Sequence, residues 1–152
     1  MLTRSGTIAL RALVELAREP SRQLSGPQLA QRQGLPEPML EQVLLQLREA
    51  GLVEAKRGRT GGYRLAIAAE KLPVLQVLEA VSGRRSPSSR ALEPAAAASA
   101  AAAAGEQLEQ QLQRRLERAV ERELAQLNLA ELLHDQRSWE ASLDPEGGLM
   151  LG

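Results

Sequence analysis

Apolar residues recur every three or four positions in several segments of the chain, which is the spacing of amphipathic helices. The first such segment predicts a helix that begins near Thr3 or Ser5 and ends before Pro20. The second predicts a short helix over residues 27–33, which Gly34 ends because glycine commonly follows the last helical turn. The pattern therefore predicts two helices at the start of the chain.

A third helix, predicted over residues 37–50, has an apolar inner stripe and a mostly polar outer face. The apolar stripe consists of Leu40, Val43, Leu44 and Leu47. At about 100° per residue, the positions that project to the opposite side are Pro38, Gln42, Gln46 and Glu49. Leu45 also points outward, and nothing in the sequence explains an apolar residue there.

Alternation of apolar and polar residues follows this helix on both sides of a basic, glycine-rich segment, residues 56–62. Val53 and Ala55 precede the segment, and the alternating residues after it are Tyr63, Leu65 and Ile67. This pattern predicts two short strands joined by a flexible loop. A fourth helix then opens at Pro73 and closes at Gly83.

The pattern changes beyond the fourth helix. Residues 84–105 lack periodicity and are rich in Ser and Ala, which predicts a flexible linker that turns helical toward its end. Residues 106–127 predict the longest helix, and a single copy of it cannot bury its own apolar stripe. We therefore predict a dimerisation helix, whose contact residues are Leu108, Leu112, Leu116, Val120, Leu124 and Leu127.

Three short helices followed by a basic hairpin have the element order of a winged helix-turn-helix. The major groove of DNA admits one α-helix, so helix 37–50 would turn its polar face to the bases. The hairpin, or wing, supplies Arg57 and Arg59, which can reach phosphates or enter a minor groove. The predicted fold class is mainly α, with a two-stranded β wing and a long C-terminal dimerisation helix.

The polar residues of the third helix and the wing suit DNA chemistry. Gln42 and Gln46 can each pair with adenine, Glu41 can accept from the amino group of cytosine, and Arg48 can reach a phosphate. A plainer interpretation is that the glutamines are solvated surface residues and that the wing arginines only aid solubility. The order of elements favours DNA contact instead. The residues predicted to bind DNA are Thr3, Arg4, Gln28, Pro38, Met39, Glu41, Gln42, Gln46, Arg48, Arg57, Arg59, Thr60 and Gly61.

These patterns divide the chain into four parts. Residues 1–83 form the predicted DNA-binding domain, and residues 84–105 form the linker. Residues 106–137 hold the dimerisation helix and a short helix that Asn128 caps. Residues 138–152 are a glycine-rich tail that we expect to be frayed.

The composition excludes several classes of function. The absence of cysteine removes disulfides, thiol catalysis and thiolate metal sites. A single histidine, His134, and the lack of a phosphate-binding loop leave no catalytic set, so we expect neither an enzyme nor a bound metal or cofactor. No secretory signal and no stretch of about 18 apolar residues is visible, which predicts a soluble cytoplasmic protein without membrane contact.

Charge is unevenly distributed along a chain whose net charge is +0. Residues 1–64 carry ten Arg and Lys against six Asp and Glu, whereas residues 65–152 carry nine against thirteen. A basic first half is compatible with docking on nucleic acid, although charge alone would not separate this from surface scatter.

Several short motifs, in order, resemble the Rrf2 family of bacterial transcriptional regulators. The matching segments read LTRSG at 2–6, QGL at 33–35, LEQ at 40–42, RG at 57–58, GGY at 61–63 and LNLAEL at 127–132. The resemblance is strong over residues 1–83 and weak over residues 106–134. It implies a dimer that binds a palindromic operator, with the long helices crossing between subunits, Glu41 and Gln42 on the recognition helix and Arg57 at the wing.

The chain departs from the family pattern in two respects. Ile8 and Met39 stand where the family places aromatic residues, which implies a different base preference. Many members hold an iron–sulfur cluster on three cysteines after the fourth helix, whereas this chain has serines there, which are poor ligands for such clusters. The resemblance therefore implies a member that does not sense through its own cluster.

The predicted function is that of a homodimeric regulator of transcription, a repressor that binds double-stranded DNA. The sequence leaves open whether its effector is a small molecule or a partner protein. Two alternatives use the same surface without DNA: a winged-helix module that binds another protein, and an adaptor associated with an enzyme. A salt-sensitive mobility shift of duplex DNA separates the first function from both alternatives.

Overall fold

The computed structural model describes residues 2–59, 61–82 and 99–144. Within these ranges it is mainly helical, with one two-stranded antiparallel sheet and a short 3-10 helix at Ala69–Lys71. The elements in chain order are α1 Arg4–Arg18, α2 Gly26–Gln33, α3 Glu37–Glu49, β1 Val53–Lys56, β2 Gly62–Leu65, α4 Val74–Val81, α5 Ala100–Gln126 and α6 Leu129–Leu143. The predicted fold class is confirmed. In the described ranges no helix is both long and apolar enough to span a membrane.

Local capping sets the ends of the first two helices. The Thr3 hydroxyl oxygen accepts from the Gly6 amide at 3.0 Å and starts α1. Ser25 and Gln28 form a reciprocal capping box at α2, with bonds of 3.2 and 2.9 Å. Gly34 ends α2 in the left-handed conformation at φ 61°, which glycine adopts without steric cost. These helices therefore lie where the sequence predicts them.

The core consists of aliphatic side chains from α1, α2, α3, α4 and α6, from the start of β1, and from the segments that connect these elements. The four residues of the predicted α3 stripe are all buried, which confirms that prediction. Burial of a leucine contributes about 1.5–3 kcal/mol, so this leucine-rich core can hold the domain together without phenylalanine. Its largest fully buried members are Leu13, Leu16, Leu29, Leu40, Leu44, Leu47, Leu52, Leu72, Leu129, Val43 and Val77.

The wing is attached to the helical part of the domain by backbone hydrogen bonds. β1 and β2 pair in antiparallel register, with Val53 opposite Leu65. On the other edge of β2, the Leu24 amide donates to the Tyr63 carbonyl at 3.0 Å, and the Tyr63 amide donates to the Leu24 carbonyl at 2.7 Å. This bridge places the segment before α2 beside the wing, and the sequence did not predict it.

Both C-terminal helices are longer than predicted. α5 begins at Ala100, inside the predicted linker, because Ser99 caps it with a 3.1 Å bond to the Ala102 amide and alanine is the strongest helix former. α6 continues to Leu143, which corrects the predicted boundary at residue 137. Residues 84–98 of the predicted linker lie outside the described residues.

A network of charged and polar side chains joins α1 to α2 and α6. Buried Glu15 accepts from Arg32 at 3.2 Å and from Gln33 at 2.6 Å, and lies 3.1 Å from the Arg18 Nε. Arg18 also donates to Glu140 of α6. The hydrogen bond from Arg18 lowers the pKa of Glu140 and correspondingly raises the pKa of Arg18. The three helices are thus fixed to one another by polar contacts as well as by the core.

Candidate nucleic-acid interface

The outer face of α3 is exposed along its whole length. Taking about 100° per residue, four exposed positions lie within about 30° of the direction opposite the buried stripe. These positions are Pro38, Gln42, Leu45 and Glu49. Gln46, predicted to project outward with them, is half-buried because it lies toward one edge of the face. Met39 is half-buried as well, whereas Arg48 is exposed.

The tip of the wing is a tight turn that carries two exposed arginines. Arg57 and Arg59 flank Gly58, which has a φ of 118° that side-chain-bearing residues rarely adopt. The Gly61 amide closes the turn by donating to the Gly58 carbonyl at 3.0 Å. A Cβ on Gly61 would lie 2.1 Å from a backbone oxygen of β1, so only glycine fits there. Thr60, which the sequence assigned to DNA binding, lies outside the described residues.

A contact between Glu41 and Tyr63 joins α3 to the wing. The Tyr63 hydroxyl donates to Glu41 Oε2 at 3.4 Å. The carboxylate occupies the space that Gly26 leaves, since a Cβ there would lie 1.9 Å from Glu41 Oε1. The sequence assigned Glu41 to a base contact and Tyr63 to a strand, and it did not predict that Glu41 contacts Tyr63 or fills the space beside Gly26. The GGY motif can be recognised in the sequence, but the contact of its tyrosine with α3 depends on the fold.

The surroundings of Tyr63 raise the pKa of its phenol. Partial burial is the largest cause, and the negative charge and hydrogen bond of Glu41 add to it, while Arg48 opposes them. A raised pKa means that the neutral phenol stabilises the fold below about pH 10, and that this contribution is lost as the pH rises through the pKa of the folded state. Tyr63 therefore reports on the contact between the wing and α3.

We predict that Glu41→Gln lowers the pKa of Tyr63 without returning it fully to its ordinary value, because burial remains. The chain has a single tyrosine, so phenolate absorbance during a pH titration measures this group alone. Glu49→Gln removes the same charge from α3 without removing a carboxylate that contacts Tyr63, and is the matched control. An unchanged pKa in Glu41→Gln would contradict the contact.

The remaining predicted residues lie at helix starts. Thr3 and Arg4 are exposed at the start of α1, where the Thr3 hydroxyl oxygen already accepts the capping hydrogen bond. Gln28 is exposed in the first turn of α2, and its side-chain oxygen accepts from the Ser25 amide. The amide nitrogen of the Gln28 side chain is the part that can donate to a phosphate. These residues provide donors near a helix N-terminus, which favours anions.

The chain is similar to named regulators along most of its length. A Synechocystis sp. protein assigned as an HTH-type transcriptional regulator, slr0846, is 34% identical over 145 residues, covering 93% of this chain and 92% of that protein. The solved structure of T. potens IscR has a TM-score of 0.69 at 26% identity and covers 90% of this chain and 88% of that one. CymR, the global cysteine regulator of B. subtilis, has a TM-score of 0.69 at 28% identity, over 88% of this chain and 96% of that one.

Residues 2–135 match the family described as Rrf2, iron-dependent transcriptional regulator. Iron does not fit the residues of this chain: it has no cysteine, and the described residues include no group of three or more His, Cys, Asp or Glu side chains that could hold a metal ion. The match nevertheless spans the winged helix-turn-helix, α5 and the first half of α6. Members of this family are transcriptional regulators rather than enzymes, and the chain belongs to the Rrf2 family.

Proposed function

We propose that this DNA-binding regulator is a homodimeric repressor of a palindromic operator, with α3 of each protomer in a major groove and each wing on the adjacent backbone. The observation that carries the proposal is the contact of Tyr63 with Glu41, together with the Leu24 bridge. These contacts hold the wing beside the exposed face of α3, so that polar side chains and the wing arginines can meet one duplex.

The exposed stripe of α5 supports a dimer. Leu108, Leu112 and Leu116 are 66%, 54% and 53% exposed, and no residue of α5 is buried. The second half of the same stripe is half-buried, where α5 packs against α4. Leucines spaced four residues apart and left in water favour association, because a second copy of the helix would cover them. Two symmetry-related copies would also match the symmetry of a palindrome.

Repression requires no contact beyond those proposed here, because a protein bound to an operator that overlaps a promoter excludes polymerase. The absence of cysteine favours an effector that is a small molecule or a partner protein over an iron–sulfur cluster on this chain's own thiolates. Selection of bound genomic fragments, followed by footprinting, tests the proposal. It predicts two inverted half-sites about one helical turn, or a multiple of it, apart.

We predict that Arg57→Ala weakens binding to every DNA sequence to a similar extent. The lost phosphate contact should also lower the slope of log affinity against log salt by about one. Mobility shifts with the operator and with random duplex at rising salt measure both effects. Arg64→Ala is the matched control, because the Arg64 side chain already pairs with Glu54 at 2.9 Å. A chain that gives no salt-sensitive shift at all would instead be a module for protein partners.

Gln42→Ala should act on specificity rather than on overall affinity. We predict a loss of about 1–3 kcal/mol at one base pair of each half-site and little change with random duplex. Competition binding against single-base operator variants measures this preference. Gln113→Ala, on exposed α5, should leave the preference intact. Equal losses of affinity on all DNA sequences would mean that Gln42 contacts the DNA backbone instead of a base.

A further inference from the structure

Leu45 is an exception among the apolar side chains of the DNA-binding domain. It is 54% exposed, and in the described part of this domain, residues 2–59 and 61–82, the other exposed large hydrophobic residue is Leu2, which lies before α1. Its neighbours in sequence on α3, Leu44 and Leu47, are fully buried. An isolated exposed leucine is ordinary on a protein surface, so its position must decide whether it has a role.

Leu45 lies on the outer face of α3, near the middle of the helix. At about 100° per residue it lies within about 30° of the direction opposite the buried stripe, closer than Glu41. Gln42 precedes it by three residues and Glu49 follows it by four, and both are exposed on the same side. Side chains three or four residues apart are neighbours on a helix surface. An α3 that lies in a major groove would therefore turn Leu45 toward the bases.

The floor of the major groove offers an apolar group at one base only. Thymine carries a 5-methyl group, and apolar side chains recognise it by contact. An isobutyl side chain has no hydrogen-bonding atom, so it can add affinity only where it displaces water from such a group. Over a guanine, adenine or cytosine edge it would cover polar atoms without replacing their hydrogen bonds with water.

We propose that Leu45 determines specificity by contacting the 5-methyl group of a thymine in each half-site. This inference rests on the proposed function, because it requires α3 in the major groove. The base should lie beside the one that Gln42 contacts, since the two side chains are neighbours on the helix. Leu45 thus adds an apolar base contact to the polar ones.

Deoxyuridine provides a direct test, because it differs from thymidine only by the missing methyl group. Each thymine of the selected operator is replaced in turn by uracil, and affinity is measured for the native protein and for Leu45→Ala. We expect one replacement per half-site to weaken native binding by about fourfold, the effect of one methyl-sized group. We expect Leu45→Ala to bind the thymine and uracil duplexes equally. Alanine has a high helix propensity, and an exposed site leaves no cavity, so this variant should fold.

Leu143→Ala is the matched control, because Leu143 is also exposed but lies on α6. It should retain the full response to uracil. A native protein that binds every uracil duplex as tightly as the thymine duplex overturns the inference while leaving the proposed function intact, as does a Leu45→Ala variant that keeps the native uracil response. Failure to bind any genomic fragment overturns both, and Leu45 would then be a contact for a protein partner.

Discussion

Replacement of both Leu112 and Leu116 by glutamate should give a folded monomer with little affinity for its operator. Both leucines are more than half exposed, so their loss should not disturb the core. In a dimer each would instead be buried, and two carboxylates per helix in an apolar contact would oppose association. Because the second half-site is then bound independently, operator affinity at a fixed concentration should fall by about 10²–10⁴-fold.

Sedimentation and mobility-shift measurements on the same samples test this expectation. Gln110→Glu is the matched control, since it adds a carboxylate to the exposed opposite side of α5. Far-UV circular dichroism should report a folded protein in both cases. A doubly substituted protein that sediments like the native one, with native operator affinity, would exclude the α5 stripe as the dimer contact.

Gly62→Ala should have the second largest effect, because the new methyl group meets backbone. A Cβ at Gly62 would lie 2.7 Å from the carbonyl carbon and oxygen of Leu24 and 3.0 Å from the Ser25 nitrogen. No side-chain rotation relieves such contacts, so β2 must move and the two hydrogen bonds between Leu24 and Tyr63 are lost. We expect a loss of about 1–3 kcal/mol in the free energy of unfolding and a wing displaced from α3.

Chemical denaturation measures the loss of stability, and a DNA-binding assay measures the effect of the displaced wing. Gly105→Ala makes the same chemical change inside α5, where no atom outside the adjacent helix backbone lies within 4 Å of the added methyl group. It should stabilise the helix by about 0.5–1 kcal/mol. Equal stabilities of the two variants would mean that Gly62 does not approach Leu24 closely in solution.

The helices and the hairpin could be predicted because their signals are local. The α3 stripe, the capping residues Ser25 and Asn128, and Gly34 each act within a few positions of the chain. The α6 boundary was missed, and the last turns of this helix include a long-range contact, the ion pair of Arg18 with Glu140. No periodicity in residues 138–143 indicates that pairing.

The features of the candidate interface that the sequence did not predict also depend on contacts between distant parts of the chain. Tyr63 and Glu41 are 22 positions apart, and the pairing of β2 with β1 on one edge and with Leu24 on the other brings them together. Gln46 was predicted to point outward, but it lies toward one edge of the outer face and is half-buried. For Leu45 the helical spacing predicted an outward position, and its exposure is confirmed. The sequence did not explain the role of an apolar side chain there.

The network around Glu15 has a consequence for the spacing of the two half-sites in the proposed dimer. α6 follows α5 after two residues, is anchored in the core by Leu129, and is tied to α1 through Arg18 and Glu140. A shift of α5 would therefore carry α3 with it, because α1 also packs against α3. In the proposed dimer, the separation of the two α3 helices then follows from the internal geometry of each protomer. A partner that pulled α6 off α1 would change that separation and release the proposed operator without touching any residue of α3.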